Sequence, residues 1–460
     1  MSVAAVLRPD RVVAPPGWSR WLVPPAALSI HLAIGSVYSW SVFKLPLQAS
    51  LGASGVVSAL PFTFGIVMLG LAAAVFGTAV DSRGPRWAMT VATVCFCTGL
   101  LISAVAAAMG QMWLIVIGYG VVGGIGLGIG YISPVSTLMK WFPDRPGMAT
   151  GFAIMGFGGG ALIASPWSSQ LMSWFGTDRS GLAQTFLIMG VVYAVFMTMG
   201  ILLIRTPPRD WQVSSVAAQT ARQNRPAGPD RTANQAIKTP QFWLLWVVLC
   251  FNVTAGIGIL ERAAPIYSDY FPDATSPKAL AAAAAGFVAI LSLANSAGRI
   301  GWSTLSDVLG RKNMYRFYLG VGALLYLTLI LVADTSKPVF LVACILVLSF
   351  YGAGFATAPA YLRDLFGYKE VGAIHGRLLT AWSTAGVLGP LIVNAIADNR
   401  IDAGVVGPDR YQLSFIIMIV LLLVAVVCNE LIKTPKPLST ELSDPRVEAA
   451  ARTVASRGTA

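Results

Sequence analysis

Long runs of apolar residues, separated by short polar stretches, form the main pattern along this chain. A run of about 18 or more apolar residues is long enough to cross the hydrocarbon core of a bilayer as an α-helix. The strict alternation of apolar and polar positions that is typical of membrane β-barrels does not occur. The pattern therefore predicts an all-α polytopic membrane protein. The twelve predicted transmembrane helices are 21–43, 55–79, 87–109, 112–137, 147–170, 183–204, 241–265, 279–305, 315–334, 338–361, 375–397 and 411–432.

A polar segment between the sixth and seventh apolar runs divides the chain into two halves. It is rich in proline, glutamine, arginine and aspartate, which is typical of a linker. The predicted parts are a cytoplasmic N-terminal arm at 1–20, an N-terminal six-helix bundle at 21–204, a cytoplasmic linker at 205–240, a C-terminal six-helix bundle at 241–433 and a cytoplasmic tail at 434–460.

A short motif occurs once in each half. Asp81 and Gly84 follow the second apolar run, and Asp307 and Gly310 follow the eighth run at the same offset of 226 residues. Two six-helix halves that repeat in parallel and are joined by a linker are typical of one class of secondary transporters. The repeat therefore favours a transporter architecture.

Charged residues are few, and their positions indicate the orientation. They make up 11% of the chain, whereas a soluble protein has about 25%. The net charge is +12, but the positive residues lie between apolar runs, which argues against nucleic acid as a partner. With a cytoplasmic N-terminus, 24 lysines and arginines fall on the cytoplasmic side and 7 on the outer side. This excess predicts a multi-pass protein of the plasma (inner) membrane with both termini in the cytoplasm.

Arg299 lies well inside an apolar run, whereas the other lysines and arginines lie near the ends of the runs or between them. It lies about 12 Å along the helix axis from Asp307, and therefore within a hydrocarbon core about 30 Å thick. An arginine at that depth costs about 2.5–3.5 kcal/mol and usually faces a cavity or a partner. Asn295 lies one turn earlier on the same face. We interpret the pair as an anion-binding site; the alternative is an arginine that snorkels to the inner headgroups.

Other chemistry-bearing residue types give weaker signals. All five cysteines lie in apolar runs without metal-site spacing, and the sequence shows no nucleophile motif. We therefore expect no enzyme activity, no metal and no cofactor. His31 and Glu261 are candidates for carrying a proton. The alternatives are a hydrogen-bonded packing role for His31, and pairing with Arg262 or exposure to water for Glu261.

The repeated motif carries a resemblance to a known family. Residues 77–86 read GTAVDSRGPR, and residues 303–312 echo them as STLSDVLGRK. The pattern Gly-x-x-x-Asp-x-x-Gly-x-Arg resembles the signature of the major facilitator superfamily, which implies twelve transmembrane helices in two bundles. Such aspartates can cap a helix N-terminus or pair with a base across the two halves. We expect four of these residues to act as a gate that holds the carrier in its outward-open state. They are Asp81, Arg86, Asp307 and Arg311.

Further stretches are similar to the oxalate/formate antiporter family, which includes carriers of lactate, pyruvate and related anions. The stretches are 35–43, 126–134, 140–147, 252–260, 364–367 and 376–390, together with Asn295 and Arg299. In that family a helix 8 arginine is taken to bind the substrate carboxylate. The resemblance implies this role for Arg299, which occupies the matching position.

One departure from the family pattern concerns the substrate. Oxalate carriers of that family also use a lysine in helix 11, and Trp382 stands at what resembles its position. A dianion needs two countercharges in a low dielectric, whereas one arginine suits one carboxylate. We therefore expect a secondary active transporter that moves a monocarboxylate such as lactate, pyruvate or formate by alternating access. The alternatives are an oxalate/formate exchanger and a transporter-like carboxylate sensor.

Aromatic residues are expected to line the site, with hydroxyls for the second carboxylate oxygen and rings for the organic part. The expected lining residues are Tyr38, Trp40, Tyr131, Phe157, Tyr351 and Trp382. Each of them is by itself also compatible with packing or lipid contact. The expected partners are the small anion, the lipid bilayer and either a proton or a counter-anion, in a monomeric carrier.

Overall fold

Twelve long helical segments follow one another in the part of the chain that the computed structural model describes, which is residues 12–208, 211, 228–272 and 276–433. The side chains of residues 55, 56, 261, 277–279, 281, 282 and 285 are outside this description. The segments are α1 (Arg20–Ser39), α2 (Gly55–Arg83), α3 (Pro85–Met109), α4 (Met112–Trp141), α5 (Pro146–Phe175), α6 (Arg179–Leu203), α7 (Pro240–Glu261), α8 (Pro277–Leu309), α9 (Arg311–Leu331), α10 (Lys337–Phe366), α11 (Val371–Asp402) and α12 (Gln412–Leu431).

Most of these segments have the length and composition of membrane spans. Within the described residues, eleven helices are long and apolar enough to cross a membrane. The remaining long helix is α8, which has 33 residues. The predicted all-α polytopic membrane fold is therefore confirmed. The N-terminal arm before residue 12, linker residues 212–227 and the tail at 434–460 lie outside the described residues.

Several helices run further than the apolar pattern predicted. The second and eighth spans were expected to end at residues 79 and 305, but α2 continues to Arg83 and α8 to Leu309. Asp81 and Asp307 therefore lie in the last turn of a helix and not in a loop. The apolar pattern missed this turn because a helix can continue through charged residues after its apolar part has ended. Gly84 and Gly310 then adopt positive φ angles of 86° and 88°, which lets the chain turn at once into the next helix.

The α-helical geometry is interrupted in three segments, and two of the interruptions lie at or beside predicted site residues. In α1 an α-helix, Val23–Ile34, gives way to a 3₁₀ turn, Gly35–Ser39, which carries Tyr38. In α11 the helix breaks after Val371–Leu378 and resumes just before Trp382. In α4 a π-helical stretch covers Val116–Val122. Such local departures from α-helical geometry are frequent at functional sites.

The first six segments pack into one bundle and the last six into another. Four helix pairs join the bundles most extensively: α2 with α11, α5 with α8, α5 with α10 and α4 with α11. A Cβ on Gly151 of α5 would lie 2.6 Å from the carbonyl oxygen of Arg299, and one on Gly147 would lie 2.9 Å from the Asp307 carboxylate. The close approach of α5 and α8 therefore depends on residues without a side chain.

One end of the molecule carries residues 12–20, the described ends of the linker and the turns after α2, α4, α8 and α10; we call it the linker face. The start of the linker is bound to the N-terminal bundle, because the indole nitrogen of Trp141 in α4 donates to the Arg205 carbonyl over 2.8 Å. Its end is bound to the C-terminal bundle, because Glu370 accepts a hydrogen bond of 2.8 Å from the Ala233 amide. Each end of the linker thus belongs to its own bundle.

Candidate functional site

Arg299 lies between the two bundles. Its side chain is fully buried. The guanidinium donates from Nε to the Asn295 carboxamide oxygen over 3.3 Å, and from Nη1 across the bundles to the Ile154 carbonyl over 3.0 Å. The guanidinium carbon lies 5.6 Å from the centre of the Phe355 ring. These contacts turn the charge toward the centre of the molecule and away from the headgroups.

Two glycines make room for this large side chain. A Cβ on Gly158 of α5 would lie 3.0 Å from Arg299 Nε, and a Cβ on Gly352 of α10 would lie 3.0 Å from Arg299 Cγ. Both distances are too short for a side chain, since carbon and nitrogen atoms not bonded to each other pack about 3.5–4.0 Å apart. The missing side chain at Gly158 thus leaves room for the guanidinium, and the one at Gly352 leaves room for the stem of Arg299 and for Asn295.

Five aromatic rings surround the inner end of Arg299, and we call them the aromatic cluster. Phe157 is at its centre, with its ring 5.3 Å from those of Tyr38 and Tyr131 and 5.4 Å from that of Trp382. Phe355 joins the cluster through Trp382, at 4.5 Å between ring centres. The rings come from α1, α4, α5, α10 and α11, so both bundles contribute.

Six polar atoms around this cluster are buried. Four of them have no hydrogen-bond partner among the described residues, and leaving a buried polar group unpaired costs about 1–3 kcal/mol each. The other two, the hydroxyls of Tyr38 and Tyr351, interact with each other. The charge of Arg299 acts on the three tyrosines of this set. The atoms are Arg299 Nη2, Ser296 Oγ, Trp382 Nε1 and the hydroxyl oxygens of Tyr38, Tyr131 and Tyr351.

All six atoms can donate a hydrogen bond. An arrangement of buried donors around one fixed positive charge is complementary to an anion with several acceptor oxygens. The surrounding rings favour an organic body on that anion.

The structure brings most of the predicted site residues together, with one exception. Asn295, Tyr38, Tyr131, Phe157, Tyr351 and Trp382 all lie around Arg299. Trp40 does not join them: its ring packs 4.4 Å from Tyr119, and its indole nitrogen donates to the Ser58 carbonyl over 2.8 Å. Trp40 thus lies in the interior of the N-terminal bundle.

Sequence reasoning missed Phe355 and Ser296. Phe355 is one turn after Tyr351 on α10, and Ser296 is one residue after Asn295 on α8. The helical spacing from Tyr351 is a signal that could have found Phe355. Nothing in the local sequence separates Ser296 from the other small residues of that helix.

The two histidines of the chain lie on either side of Tyr131. The His31 ring is 5.5 Å from the Tyr131 ring, and the His375 ring is 5.8 Å from it. His375 is only 1% exposed. The side chain of Glu261, the other predicted proton carrier, lies outside the described residues.

The two repeated aspartates each cap a helix of the opposite bundle. Asp307 of α8 accepts hydrogen bonds of 2.9 Å from the amides of Gly147 and Met148, which begin α5. Asp81 of α2 accepts one of 2.8 Å from the amide of Ala373, which begins α11. A carboxylate at a helix N-terminus satisfies free amides and opposes the helix dipole. These two caps hold the bundles together at the linker face.

The two predicted gating arginines lie in different surroundings. Arg311 pairs with Asp307 over 2.5 Å and with Asp364 over 3.3 Å, and so supports one of the caps. Arg86 donates to the carbonyl of Ile201 over 3.2 Å, at the end of α6. Arg86 therefore caps a helix of its own bundle.

Two membrane-embedded bundles that meet at a buried polar site, with caps closing one end, define a membrane transport protein. Residues 26–360 match the family model of the Major Facilitator Superfamily. The chain belongs to this superfamily. It is accordingly a transporter and not an enzyme.

Known relatives agree with this assignment. An uncharacterized transporter of the superfamily, YhjX of Escherichia coli, is 27% identical over 78% of this chain and 83% of its own length. The oxalate:formate antiporter of Oxalobacter formigenes is 25% identical over 83% of this chain and 86% of its own. Apicoplast pyruvate carrier 1 of Toxoplasma gondii is 23% identical over 56% and 55%.

Solved structures show the same fold. The crystal structure of the superfamily transporter FucP in its outward conformation superposes with a TM-score of 0.62 at 14% identity, covering 89% of this chain and 98% of that one. At this identity the likeness concerns the fold alone. The predicted arrangement of twelve helices in two bundles thus has a solved counterpart.

Proposed function

We propose that this protein is a secondary active transporter that carries a small monocarboxylate such as lactate, pyruvate or formate by alternating access. The observation that carries the proposal is the buried Nη2 of Arg299, which makes no hydrogen bond within the described residues. Nε and Nη1 are held by the Asn295 and Ile154 contacts, so the guanidinium is oriented before an anion arrives. Because the guanidinium is already held in one orientation, less conformational entropy is lost when an anion binds.

The charge at the site favours one carboxylate over two. Among the described side chains at the site, Arg299 is the one with a permanent charge. Trp382 stands at what resembles the position of the helix 11 lysine of oxalate carriers. A second carboxylate would be desolvated there without a countercharge, which costs several kcal/mol. The rings of Phe157 and Phe355 would contact the organic part of the substrate.

The activities of two relatives support this substrate class and also supply an alternative to it. One relative is a pyruvate carrier and one is an oxalate:formate antiporter. Exchange of oxalate for formate therefore remains the second candidate function. Trans-stimulation by oxalate preloaded into vesicles would favour it, whereas trans-stimulation by monocarboxylates alone favours our proposal.

We further propose how the carrier works in its membrane. The linker face is cytoplasmic, as the excess of lysine and arginine predicts, and the protein resides in the plasma membrane as a monomer. The caps at Asp81 and Asp307 close the cytoplasmic end and break when the carrier opens inward. The bundles then separate around Arg299, which releases the anion.

Coupling requires a second ion, either a proton that moves with the anion or another anion in exchange. Of the two predicted proton carriers, His31 lies beside Tyr131 and so next to the proposed binding site. Glu261 remains a prediction.

Ligand stabilisation of the purified protein tests the proposed binding role. A ligand that binds only the folded state at 100 times its Kd raises the stability by about 2.7 kcal/mol. We expect pyruvate, lactate or formate to raise the melting temperature of the wild type and to leave that of Arg299→Gln unchanged. Arg299→Lys should respond weakly, because an ammonium does not reproduce the planar fork.

The matched control is Arg316→Gln, because Arg316 is an arginine at the surface, paired with Glu430 over 2.5 Å and 49% exposed. This variant should respond to carboxylates like the wild type. Normal stabilisation of Arg299→Gln by the same acids would show that Arg299 does not bind them.

A further inference from the structure

His31 sits in a pocket of two hydrogen-bond acceptors. The ring is fully buried on α1. Its Nδ1 contacts the carbonyl oxygen of Ala153 on α5, and its Nε2 lies 3.1 Å from the carbonyl oxygen of Tyr131 on α4. A carbonyl oxygen can only accept. A neutral imidazole has one N–H and therefore satisfies one of these contacts, whereas an imidazolium satisfies both.

The charged and titratable groups around His31 come from three other helices. Arg299 of α8 opposes a second positive charge at His31, and so does a protonated His375 of α11. Tyr131 of α4 contributes its ring. From α5 the facing groups are the Ala153 carbonyl and Gly156, which have no charge.

An anion on Arg299 would change this balance. While Arg299 is unpaired, its charge disfavours an imidazolium at His31. A carboxylate bound to Arg299 neutralises that charge and so removes this opposition. Burial of the ring still acts against the proton, and the two carbonyl oxygens act in its favour. By linkage, the proton strengthens binding of the anion by the same factor.

We propose that His31 is the proton-binding site of this carrier, and that a proton on its imidazole and a carboxylate on Arg299 bind cooperatively and cross the membrane together. This inference rests on the proposed function and makes the carrier a symporter. The proton enters at a ring nitrogen from water on the open side. It leaves from the same ring to water after the anion has dissociated, so no other group is oxidised, reduced or modified.

His375 supplies a matched control for this inference. It is also a buried histidine against Tyr131, at a ring distance of 5.8 Å. It lacks the pair of carbonyl partners, since its Nδ1 has no hydrogen-bond partner in the described part of the chain. His31 thus has a carbonyl acceptor at each ring nitrogen, and His375 does not.

Proteoliposomes with a pH-sensitive dye inside provide the test, with pyruvate as the probe because it stays ionised between pH 5.5 and 8. In the wild type, an acidic exterior should drive pyruvate accumulation together with acidification of the lumen. His31→Gln should lose both effects but keep the exchange of labelled for unlabelled pyruvate. His375→Gln should keep proton-driven accumulation.

Binding to the wild type gives a second readout that does not depend on how the variants fold. Pyruvate affinity should rise as the pH falls, by up to about tenfold per pH unit, which is the limit for one linked proton. His31→Gln should flatten this dependence. An affinity that is independent of pH in the wild type would overturn the inference.

The outcomes separate the two proposals. A wild type that neither binds nor exchanges any carboxylate refutes the proposed function itself. A wild type that exchanges pyruvate normally, together with a His31→Gln variant that still accumulates it with proton uptake, refutes only the role of His31.

Discussion

Arg299 can be buried because small residues surround it. Gly158 and Gly352 face it from α5 and α10, and each leaves a gap that a single methyl group would fill. Burial of a guanidinium with one unpaired nitrogen is costly, and a structure keeps such a group where a ligand will pair it. The position of these glycines is therefore as much a part of the site as the arginine.

Substituting Gly158 by alanine tests this dependence. The added Cβ would lie 3.0 Å from Arg299 Nε and 3.2 Å from Ser296 Oγ, so the guanidinium must shift. We expect at least a tenfold loss of carboxylate affinity, measured by titration calorimetry, with little loss of thermal stability. Such a loss corresponds to about 1.4 kcal/mol.

Gly301→Ala is the control, because a Cβ on this glycine of α8 meets nothing within 4 Å among the described atoms. Alanine there should preserve affinity and raise stability slightly, by up to about 1 kcal/mol. Unchanged affinity in Gly158→Ala would mean that the guanidinium has more freedom than its contacts indicate.

Individual residues were only partly predictable from the sequence. Arg299 and Asn295 were recognisable because four residues separate them on one helix and because an arginine in an apolar run is rare. Tyr38 and Trp40 looked alike, two residues apart in the same stretch. The 3₁₀ turn of α1 directs Tyr38 to the centre and Trp40 into its own bundle, and nothing in the local pattern announces that turn.

At the scale of helices, the aspartates of the repeated motif bind helices of the opposite bundle. Asp81 caps α11 and Asp307 caps α5, so each half holds the start of a helix from the other half. The sequence predicted capping or pairing by these aspartates. It could not predict the partners, because the capped residues lie 292 and 160 residues away along the chain and meet the aspartates only in the folded protein.

Removing a cap should favour opening of the linker face. Asp307→Asn keeps the size of the side chain but loses the charge that opposes the α5 dipole and pairs with Arg311. Loss of a negative charge at a helix N-terminus costs about 0.3–1 kcal/mol, and up to about 2 kcal/mol where the site is partly buried. We expect a cysteine placed at the buried position Thr150, in a chain whose native cysteines are replaced by alanine, to react several-fold faster with a thiol reagent.

Asp402→Asn is the control for this measurement, since Asp402 is an exposed aspartate that ends α11 away from the linker face. Its labelling rate should equal that of the parent. Equal labelling in Asp307→Asn would indicate that the cap does not limit opening.

At the scale of the whole molecule, apolar periodicity was sufficient for the helices of the fold. The lengths of the runs follow from bilayer thickness, and this is why twelve helices could be predicted from one sequence. The division into two bundles was predicted from the polar linker, the repeated motif and the resemblance to the superfamily. Contacts between the bundles could not, because they depend on glycines whose partners lie on distant helices. The linker supports motion of whole bundles, since each of its described ends is bound to one bundle only.

The central claim is that a buried arginine carries a carboxylate between two moving bundles. Counterflow of labelled pyruvate into liposomes preloaded with unlabelled pyruvate measures this directly, because it needs both binding and movement. Wild type and Arg316→Gln should accumulate the label, and folded Arg299→Gln should stay at the level of protein-free liposomes. Accumulation by Arg299→Gln at the wild-type rate would contradict the account.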